Sequence, residues 1–277
     1  MRSARQADGA SSRHGTVLSL FGAKGGSGAT TLAVNLAGAA HAERGRTGAR
    51  VALVDLDLQT GDVLAQLDLT GRFSLGDAFQ ELGRLRAEQL PLLLPQHPSG
   101  LYVLAQSDHP LHAIQPTAAA TVELLALLRR AFDLVVIDGL RDLGATSLAA
   151  LDQTDRILLV LTPDGPSIKS GRRSLDLLQQ LGLGARVKVV LNRWHAAHDR
   201  PAQSVADELG ATVDAFVEND FPTVIGAANQ GRLLLETAPD AAVTQAIRQL
   251  ARQVGQRPRR RTSESGLGQL APVAGDQ

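Results

Sequence analysis

Short apolar runs alternate along the chain with segments whose apolar residues recur at helical spacing. The runs are near-continuous stretches of Val, Leu and Ile rather than strict apolar–polar alternations, which is typical of strands that are covered on both faces. They predict strands at 16–21, 51–55, 101–104, 134–138, 157–161, 187–191 and, more weakly, 213–217.

The segments between these runs predict helices at 31–43, 121–132, 174–181, 202–209 and 241–254. Regular alternation of strands and helices predicts an α/β fold, namely a doubly wound, mostly parallel sheet with helices on both faces. We therefore expect one domain at 16–255, between a disordered leader at 1–15 and a basic, disordered tail at 256–277, because neither end shows apolar periodicity.

The last predicted helix leaves two interpretations open. Its stripe of Val243, Ile247, Leu250 and Val254 can pack onto the core, or it can lie on a membrane surface beside the arginine-rich tail. The stripe is narrow and lacks Phe and Trp, which favours the core. No apolar run approaches the roughly 20 residues of a membrane span, and the N-terminus lacks the apolar region of a secretory signal, so we expect a cytoplasmic protein.

Composition excludes several classes of site. The 28 basic and 28 acidic residues give a formal net charge of zero, which argues against nucleic-acid binding through bulk charge. Cysteine is absent, so disulfides, iron–sulfur clusters, thiolate zinc sites and cysteine nucleophiles are excluded. Aromatic residues make up only 3 % of the chain, which disfavours a base-stacking platform.

The segment at 21–31, Phe-Gly-Ala-Lys-Gly-Gly-Ser-Gly-Ala-Thr-Thr, joins a predicted strand to a predicted helix. Gly25, Gly26 and Gly28 allow backbone N–H groups to turn toward an anion, and the following helix adds the positive end of its dipole. The hydroxyl of Thr30 suits a Mg²⁺ ion that bridges phosphates. The segment therefore predicts a phosphate loop, the alternative being a glycine-rich turn without a ligand.

This loop departs from the general pattern G-x-x-x-x-G-K-[ST]. Ala23 stands at the first glycine and Ala29 at the lysine, so the usual lysine contact with the β and γ phosphates is missing. The chain has three lysines, Lys24, Lys169 and Lys188, and only Lys24 lies in the loop. Any lysine contact with phosphates at this loop must therefore come from Lys24.

Acidic residues follow two other predicted strands. Asp55 ends the run at 51–55 and Asp57 follows two residues later, while Asp138 ends the run at 134–138. The carboxyl ends of parallel strands meet in one crevice, so we expect these carboxylates beside the phosphate loop. Each alone could be a solvated loop acid, but together with the loop they indicate a site for Mg²⁺ and phosphates.

These motifs resemble those of a known superfamily. The Lys24-Gly-Gly-x-Gly-x-Thr-Thr run, the Val-Asp-Leu-Asp-Leu-Gln run and the Val-Val-Ile-Asp run resemble the deviant Walker A, switch I and Walker B/switch II motifs of ParA/MinD ATPases. The resemblance spans 16 to about 254. The runs at 55–63, 191–193, 219–221 and 231–239 are most similar to the CpaE/TadZ branch of Tad (Flp) pilus assembly proteins, which also tends to lack the usual lysine.

The resemblance implies a homodimer that forms with ATP and Mg²⁺. Lys24 would reach the partner's phosphates, Asp57 would position the attacking water, and Asp138 would hold Mg²⁺ through water, with Thr30 and Asp57 also at the metal. Asn192 would read adenine, the alternative being a helix N-cap or turn. The residues implied to wrap the nucleotide are Lys24, Gly25, Gly26, Ser27, Gly28, Ala29, Thr30 and Thr31.

Two departures affect hydrolysis more than binding. Ala29 removes a charge that stabilises the transferring phosphoryl group, and the segment after Asp138 lacks the proline common in the family. The resemblance thus implies an ATP-binding dimeric switch that localises a Tad/Flp pilus or secretion apparatus, with slow or absent hydrolysis. A partitioning or positioning ATPase that binds DNA or membrane, and a nucleotide-independent scaffold, are the alternatives.

The implied partners are pilus or secretion assembly proteins, with polar or peripheral placement at the inner membrane left open. DNA is disfavoured by the neutral charge but not excluded. The place for a weak membrane-surface contact is the basic cluster of Arg257, Arg259, Arg260 and Arg261.

Overall fold

The computed structural model describes residues 14–57, 61–71, 73–106, 116–140, 142–197 and 201–255. The predicted tail at 256–277, with its arginine cluster, and all but two residues of the predicted leader lie outside the described residues. The strands are β1 (Thr16–Gly22), β2 (Val51–Asp55), β3 (Tyr102–Leu104), β4 (Leu134–Leu140), β5 (Arg156–Leu161), β6 (Val187–Trp194) and β7 (Ala215–Glu218). The helices are α1 (Ala29–Arg44), α2 (Val63–Gln66), α3 (Leu75–Gln80), α4 (Leu90–Leu93), α5 (Ala118–Ala131), α6 (Ala145–Asp152), α7 (Gly165–Gln180), α8 (Ala202–Leu209), α9 (Phe221–Ala228), α10 (Leu234–Thr237) and α11 (Ala242–Gly255).

Within the described residues, the strands form one sheet in the order β3-β2-β4-β1-β5-β6-β7, and every neighbouring pair is parallel. Alternate residues of β1 point to the two faces of the sheet, and each face is covered by an apolar layer. Val17 belongs to the layer that includes α5 and α7, and Leu18 belongs to the layer that includes α1 and α11. The predicted doubly wound α/β fold is confirmed. All seven predicted strands are present, with the weakest displaced from 213–217 to Ala215–Glu218.

The predicted helices differ from the observed ones mainly in α7, which begins at Gly165 rather than at 174. Asp164 caps this helix by accepting a hydrogen bond from Ser167 N at 3.0 Å, and Pro166 occupies its first turn. Helices α2, α3, α4, α6, α9 and α10 were not predicted. Four of them, α2, α3, α4 and α10, have six residues or fewer and too few turns to show a helical period.

Helix α11 packs onto the core, as the first of the two interpretations predicted. Val243, Ile247, Leu250 and Val254 are each 2–3 % exposed and belong to the same apolar layer as α1. Arg248 and Arg252 lie beside this stripe and both pair with Glu43 near the end of α1, at 3.2 and 2.9 Å. Across the part of the chain that the structure describes, none of the helices has the length and apolar character needed to cross a membrane.

Candidate nucleotide site

The segment predicted to be a phosphate loop connects central strand β1 to helix α1 at the carboxyl edge of the sheet. It borders a cavity of about 480 Å³. Lys24 through Thr31 line this cavity on one side, and Asp62, Gln66, Asp138, Asp142 and Arg193 line it on others. The predicted loop residues and the Walker B carboxylate are thus brought together around one space.

Ser27 and Gly28 of this loop lie against Asn192 of strand β6. Gly28 has φ +83°, and an added Cβ would overlap Asn192 Nδ2. The same Nδ2 atom donates a 2.8 Å hydrogen bond to the carbonyl of Ser27. A glycine is therefore required here both by the left-handed backbone and by the closeness of Asn192. Asn192 braces the loop, which neither the adenine-reading nor the N-cap interpretation described.

Asp55 lies at the end of β2 directly opposite Asp138 at the end of the pairing region of β4. Both side chains are buried, and Asp55 Oδ1 accepts a 2.9 Å hydrogen bond from Asp57 N. Asp55 Oδ2 is buried and has no hydrogen-bond partner among the described residues. Burial raises the pKa of the Asp55 carboxyl to about 7, and repulsion from Asp138 adds to the shift.

The family resemblance implied a metal-site role for Asp57 and Asp138 but none for Asp55. In the structure both Asp55 and Asp57 are buried, at 1 % and 8 % exposure, and neither is among the described residues that line the cavity. Gly139, with φ +84°, allows the two strand ends to approach, because a Cβ there would overlap Asp57 N. The signal that could have found Asp55 is its position at the last residue of a fully buried strand, where an acid is costly without a partner.

Thr30 lines the cavity beside the loop glycines, as predicted. No cage of three or more His, Asp or Glu side chains that could hold a metal by itself occurs in the described ranges. Mg²⁺ is commonly held by only one or two carboxylates, with phosphates and waters completing its shell. The unpartnered Asp55 Oδ2, the Asp138 carboxyl and the Thr30 hydroxyl therefore fit a Mg²⁺ ion that arrives with a nucleotide.

Lys24 is held by the loop that follows β5. Its Nζ atom donates a 2.8 Å hydrogen bond to Asp164 Oδ1, and the two side chains are 37 % and 44 % exposed. Partial burial alone would raise the pKa of Asp164, but hydrogen bonds from Lys24, Thr162 and Ser167 lower it to about 2. Lys24 is thus an exposed cation whose charge is already neutralised within its own chain.

A second, more apolar cavity of about 200 Å³ adjoins the loop at Gly28 and Thr31. Asn192 lies at its polar side, and Val217, Val224 and Ile247 contribute apolar walls. Phe221, which is 64 % exposed, lies at this cavity and was not singled out by sequence reasoning. A largely apolar cavity beside a phosphate loop has the character of a site for a nucleobase.

Comparisons with known proteins agree with this geometry. Residues 18–226 match the family model described as the CobQ/CobB/MinD/ParA nucleotide binding domain. The chain is 30 % identical over 258 residues to the chromosome-partitioning ATPase Soj of Thermus thermophilus, covering 86 % of this chain and 94 % of Soj.

Solved structures share the fold, and two of them illustrate the similarity. A ParA family ATPase from Chlorobium tepidum superposes with a TM-score of 0.80 at 20 % identity, covering 88 % of this chain and 100 % of that one. The septum site-determining protein MinD of Pyrococcus horikoshii, complexed with Mg-ADP, has a TM-score of 0.72 at 23 % identity, covering 86 % of this chain and 95 % of that one. The chain belongs to the ParA/MinD family of nucleotide-binding domains.

Proposed function

We propose that this protein is an ATP-binding switch that dimerises with ATP and Mg²⁺ and localises a Tad/Flp pilus or secretion apparatus, with slow or absent hydrolysis. The observation that carries the nucleotide part is the convergence of the loop 24–31 with Asp138 on one cavity, beside the buried Asp55. The single domain at 16–255 is proposed to be the whole ATPase module.

Backbone N–H groups of the loop and the first turn of α1 would bind the phosphates. Thr30, Asp138 and Asp55 would hold Mg²⁺, which supplies positive charge to the bridged phosphate oxygens. Lys24 would leave Asp164 and reach the phosphates bound by a second copy. Asp57 would orient water only if it turns toward the cavity that it does not line here.

The apolar cavity beside Gly28 supports adenine as the base. Asn192 Nδ2 is occupied by the Ser27 carbonyl, which leaves Oδ1 to accept a hydrogen bond. The exocyclic amine of adenine donates such a bond, whereas guanine presents a carbonyl oxygen at the same position. This arrangement supports ATP over GTP.

Ala29 supports binding without efficient turnover, because the loop lacks the cation that stabilises the transferring phosphoryl group. The pilus role is supported by the runs at 55–63, 191–193 and 219–221, which resemble the CpaE/TadZ branch. The relation to Soj, named as a chromosome-partitioning ATPase, supports partitioning with ATP-dependent DNA binding as the second candidate.

Light scattering of the full chain with Mg-ATP, with Mg-ADP and without nucleotide tests the switch. A dimer that forms only with ATP supports it, and an unchanged mass together with no nucleotide binding supports the scaffold alternative instead. Deletion of the gene in its source organism separates the two roles: loss of surface pili supports the pilus apparatus. Loss of replicon segregation, with a salt-sensitive ATP-dependent shift of DNA by the protein, supports partitioning.

A further inference from the structure

Two basic side chains line the nucleotide cavity among the described residues, and they differ in their surroundings. Lys24 is paired with Asp164. Arg193 is exposed, and its side chain makes no hydrogen bond or ion pair to any residue in the described ranges. Arg193 is therefore the basic group of this cavity whose charge is available to an incoming anion.

The cavity carries a surplus of negative charge before any nucleotide enters. Asp62, Asp138 and Asp142 line it, and Asp55 is buried beside Asp138. A triphosphate adds several further negative charges, and Ala29 leaves the loop without its usual cation. Because like charges repel strongly in a partly desolvated site, binding of a polyphosphate here calls for a compensating cation.

The backbone at Arg193 adopts a conformation that is uncommon for a residue with a side chain. Its φ is +56°, in the left-handed region, and the register between β6 and β7 shifts between Leu191 and Trp194. The flanking residues fix this turn: Asn192 binds the Ser27 carbonyl, and Trp194 O accepts a 2.9 Å hydrogen bond from Asn219 N. Such strain persists where the surroundings impose it, often at ligand sites.

This turn places Arg193 where three spaces meet. It lines the nucleotide cavity, the apolar cavity beside Asn192 and the cleft that contains Lys24 and Asp164. An arginine at this position can extend toward the phosphates from the side of the base, whereas a lysine at position 29 would have approached them from the loop. The strand end thus offers an alternative source for the missing charge.

We infer that Arg193 binds the polyphosphate of the nucleotide and supplies, from strand β6, the positive charge that the loop lacks at Ala29. The inference rests on the proposed ATP binding. A guanidinium can donate two parallel hydrogen bonds to phosphate oxygens, so a single arginine can hold and orient the chain of phosphates. Arg193 is a binding residue in this assignment and takes no part in proton transfer.

Isothermal titration of the full chain with Mg-ATP and with AMP tests the inference. Arg193→Asn removes the charge but keeps a residue that tolerates the left-handed backbone, and Arg193→Lys keeps the charge. We expect Arg193→Asn to weaken ATP binding at least about tenfold, the order of one lost charge-assisted hydrogen bond, and AMP binding less than about threefold. Arg193→Lys should retain most of the ATP affinity.

Two further variants serve as rescue and control. Adding Ala29→Lys to Arg193→Asn should restore ATP affinity, because a cation returns to the phosphates from the loop. Arg84→Ala is the matched control, since the Arg84 side chain is 88 % exposed and is not among the lining residues; it should bind ATP as the unaltered chain does.

Unchanged ATP affinity in Arg193→Asn would overturn the inference while leaving the proposed function intact. If Arg193→Asn loses equal affinity for ATP and AMP, the inference is also overturned. Such a result would mean that Arg193 contacts the base or stabilises the loop, and does not bind the polyphosphate. If the unaltered chain binds no ATP at all, the proposed function itself is wrong and the inference falls with it.

Discussion

Asp55 and Asp138 lie side by side as the last register partners of the parallel strands β2 and β4, and both residues are buried. Two carboxyls in this arrangement cannot both ionise cheaply without a cation between them or beside them. The arrangement therefore links three quantities that can be measured separately: the stability of the free protein, its pH dependence and its affinity for Mg²⁺.

The first prediction concerns stability in the absence of metal and nucleotide. The pKa of Asp55 is raised to about 7 in the folded chain from an ordinary value of 3.8, so the folded state retains a proton that the unfolded state releases. Stability contributed by this group is present below pH 4 and falls as the pH rises to about 7, by an amount on the order of a few kcal/mol. Urea unfolding between pH 4.5 and 8.5 measures it.

Asp55→Asn should remove this part of the pH dependence, because the amide remains neutral and its oxygen can still accept from Asp57 N. The variant should be more stable than the unaltered chain at pH 8. Asp176→Asn, on the exposed face of α7, is the control and should keep the original pH profile. If the free energy of unfolding changes equally with pH in Asp55→Asn and in the unaltered chain, the pH dependence does not come from the raised pKa of Asp55.

The second prediction concerns Mg²⁺ in the presence of ADP. Mg²⁺ requires ionised carboxylates, so its affinity should rise as the pH increases from 6 to 8, opposite in direction to the stability of the free protein. Asp138→Asn should weaken Mg²⁺ binding about tenfold or more while ADP alone still binds. Titration of Mg²⁺ at a fixed ADP concentration measures the pH dependence and the effect of Asp138→Asn. A Mg²⁺ affinity that does not change with pH would contradict the requirement for ionised carboxylates.

The third prediction concerns the Lys24–Asp164 pair. Both side chains are more than a third exposed, so Asp164→Asn should change the free energy of unfolding by less than about 1 kcal/mol. Asn also caps helices well, so α7 should keep its first turn. Because Lys24 is then released, the ATP-dependent dimer should form at a lower protein concentration.

Lys24→Ala should be equally stable and should abolish the ATP-dependent dimer. Light scattering across a concentration series distinguishes the two variants. Dimerisation of Lys24→Ala with ATP would show that this lysine does not reach across to a partner.

The fourth prediction compares two glycines of the loop. Gly28 has φ +83° and lies against Asn192, so Gly28→Ala should destabilise the free protein by at least about 1 kcal/mol. An added Cβ at Gly25 meets no atom within 4 Å, so Gly25→Ala should leave the free energy of unfolding nearly unchanged. Thermal and urea unfolding without nucleotide provide the comparison. Equal losses of stability in Gly28→Ala and Gly25→Ala would show that the structure does not specifically require glycine at position 28.

The fifth prediction concerns turnover. Ala29→Lys returns a cation to the loop and should raise the rate of ATP hydrolysis, measured as phosphate release. Thr31→Ser, which keeps a hydroxyl at a neighbouring lining position, is the control. An unchanged rate in Ala29→Lys would locate the limiting step elsewhere, for example in the placement of Asp57.

The sheet could be predicted from the sequence because its strands are buried on both faces, and continuous Val, Leu and Ile runs report that burial directly. The start of α7 was predicted too late, although Asp164 and Pro166 are ordinary signals of a helix start. The glycines and small polar residues of its first half gave no apolar stripe. The N-cap Asp164 and Pro166 in the first turn therefore indicate the start of α7 better than the apolar periodicity does.

Residue type alone predicted that the loop 24–31 and Asp138 lie close together, and the structure places them around one cavity. The burial of Asp55 and the bracing role of Asn192 depend on which strands become neighbours, and Arg193 depends on a register shift in β6. Strand neighbours, the contact between β6 and the loop, and an irregular register are set by the assembled sheet, and no local pattern in the sequence encodes them.

Helices α1 and α11 run side by side from the nucleotide end of the molecule. Leu32 of α1 and Val243 of α11 both border the apolar cavity, and far along each helix Glu43 joins Arg252. A helix of 16 residues such as α1 is about 24 Å long. The pair therefore forms one continuously packed connection between the end of the molecule that carries the phosphate loop and the distant surface at which α11 ends.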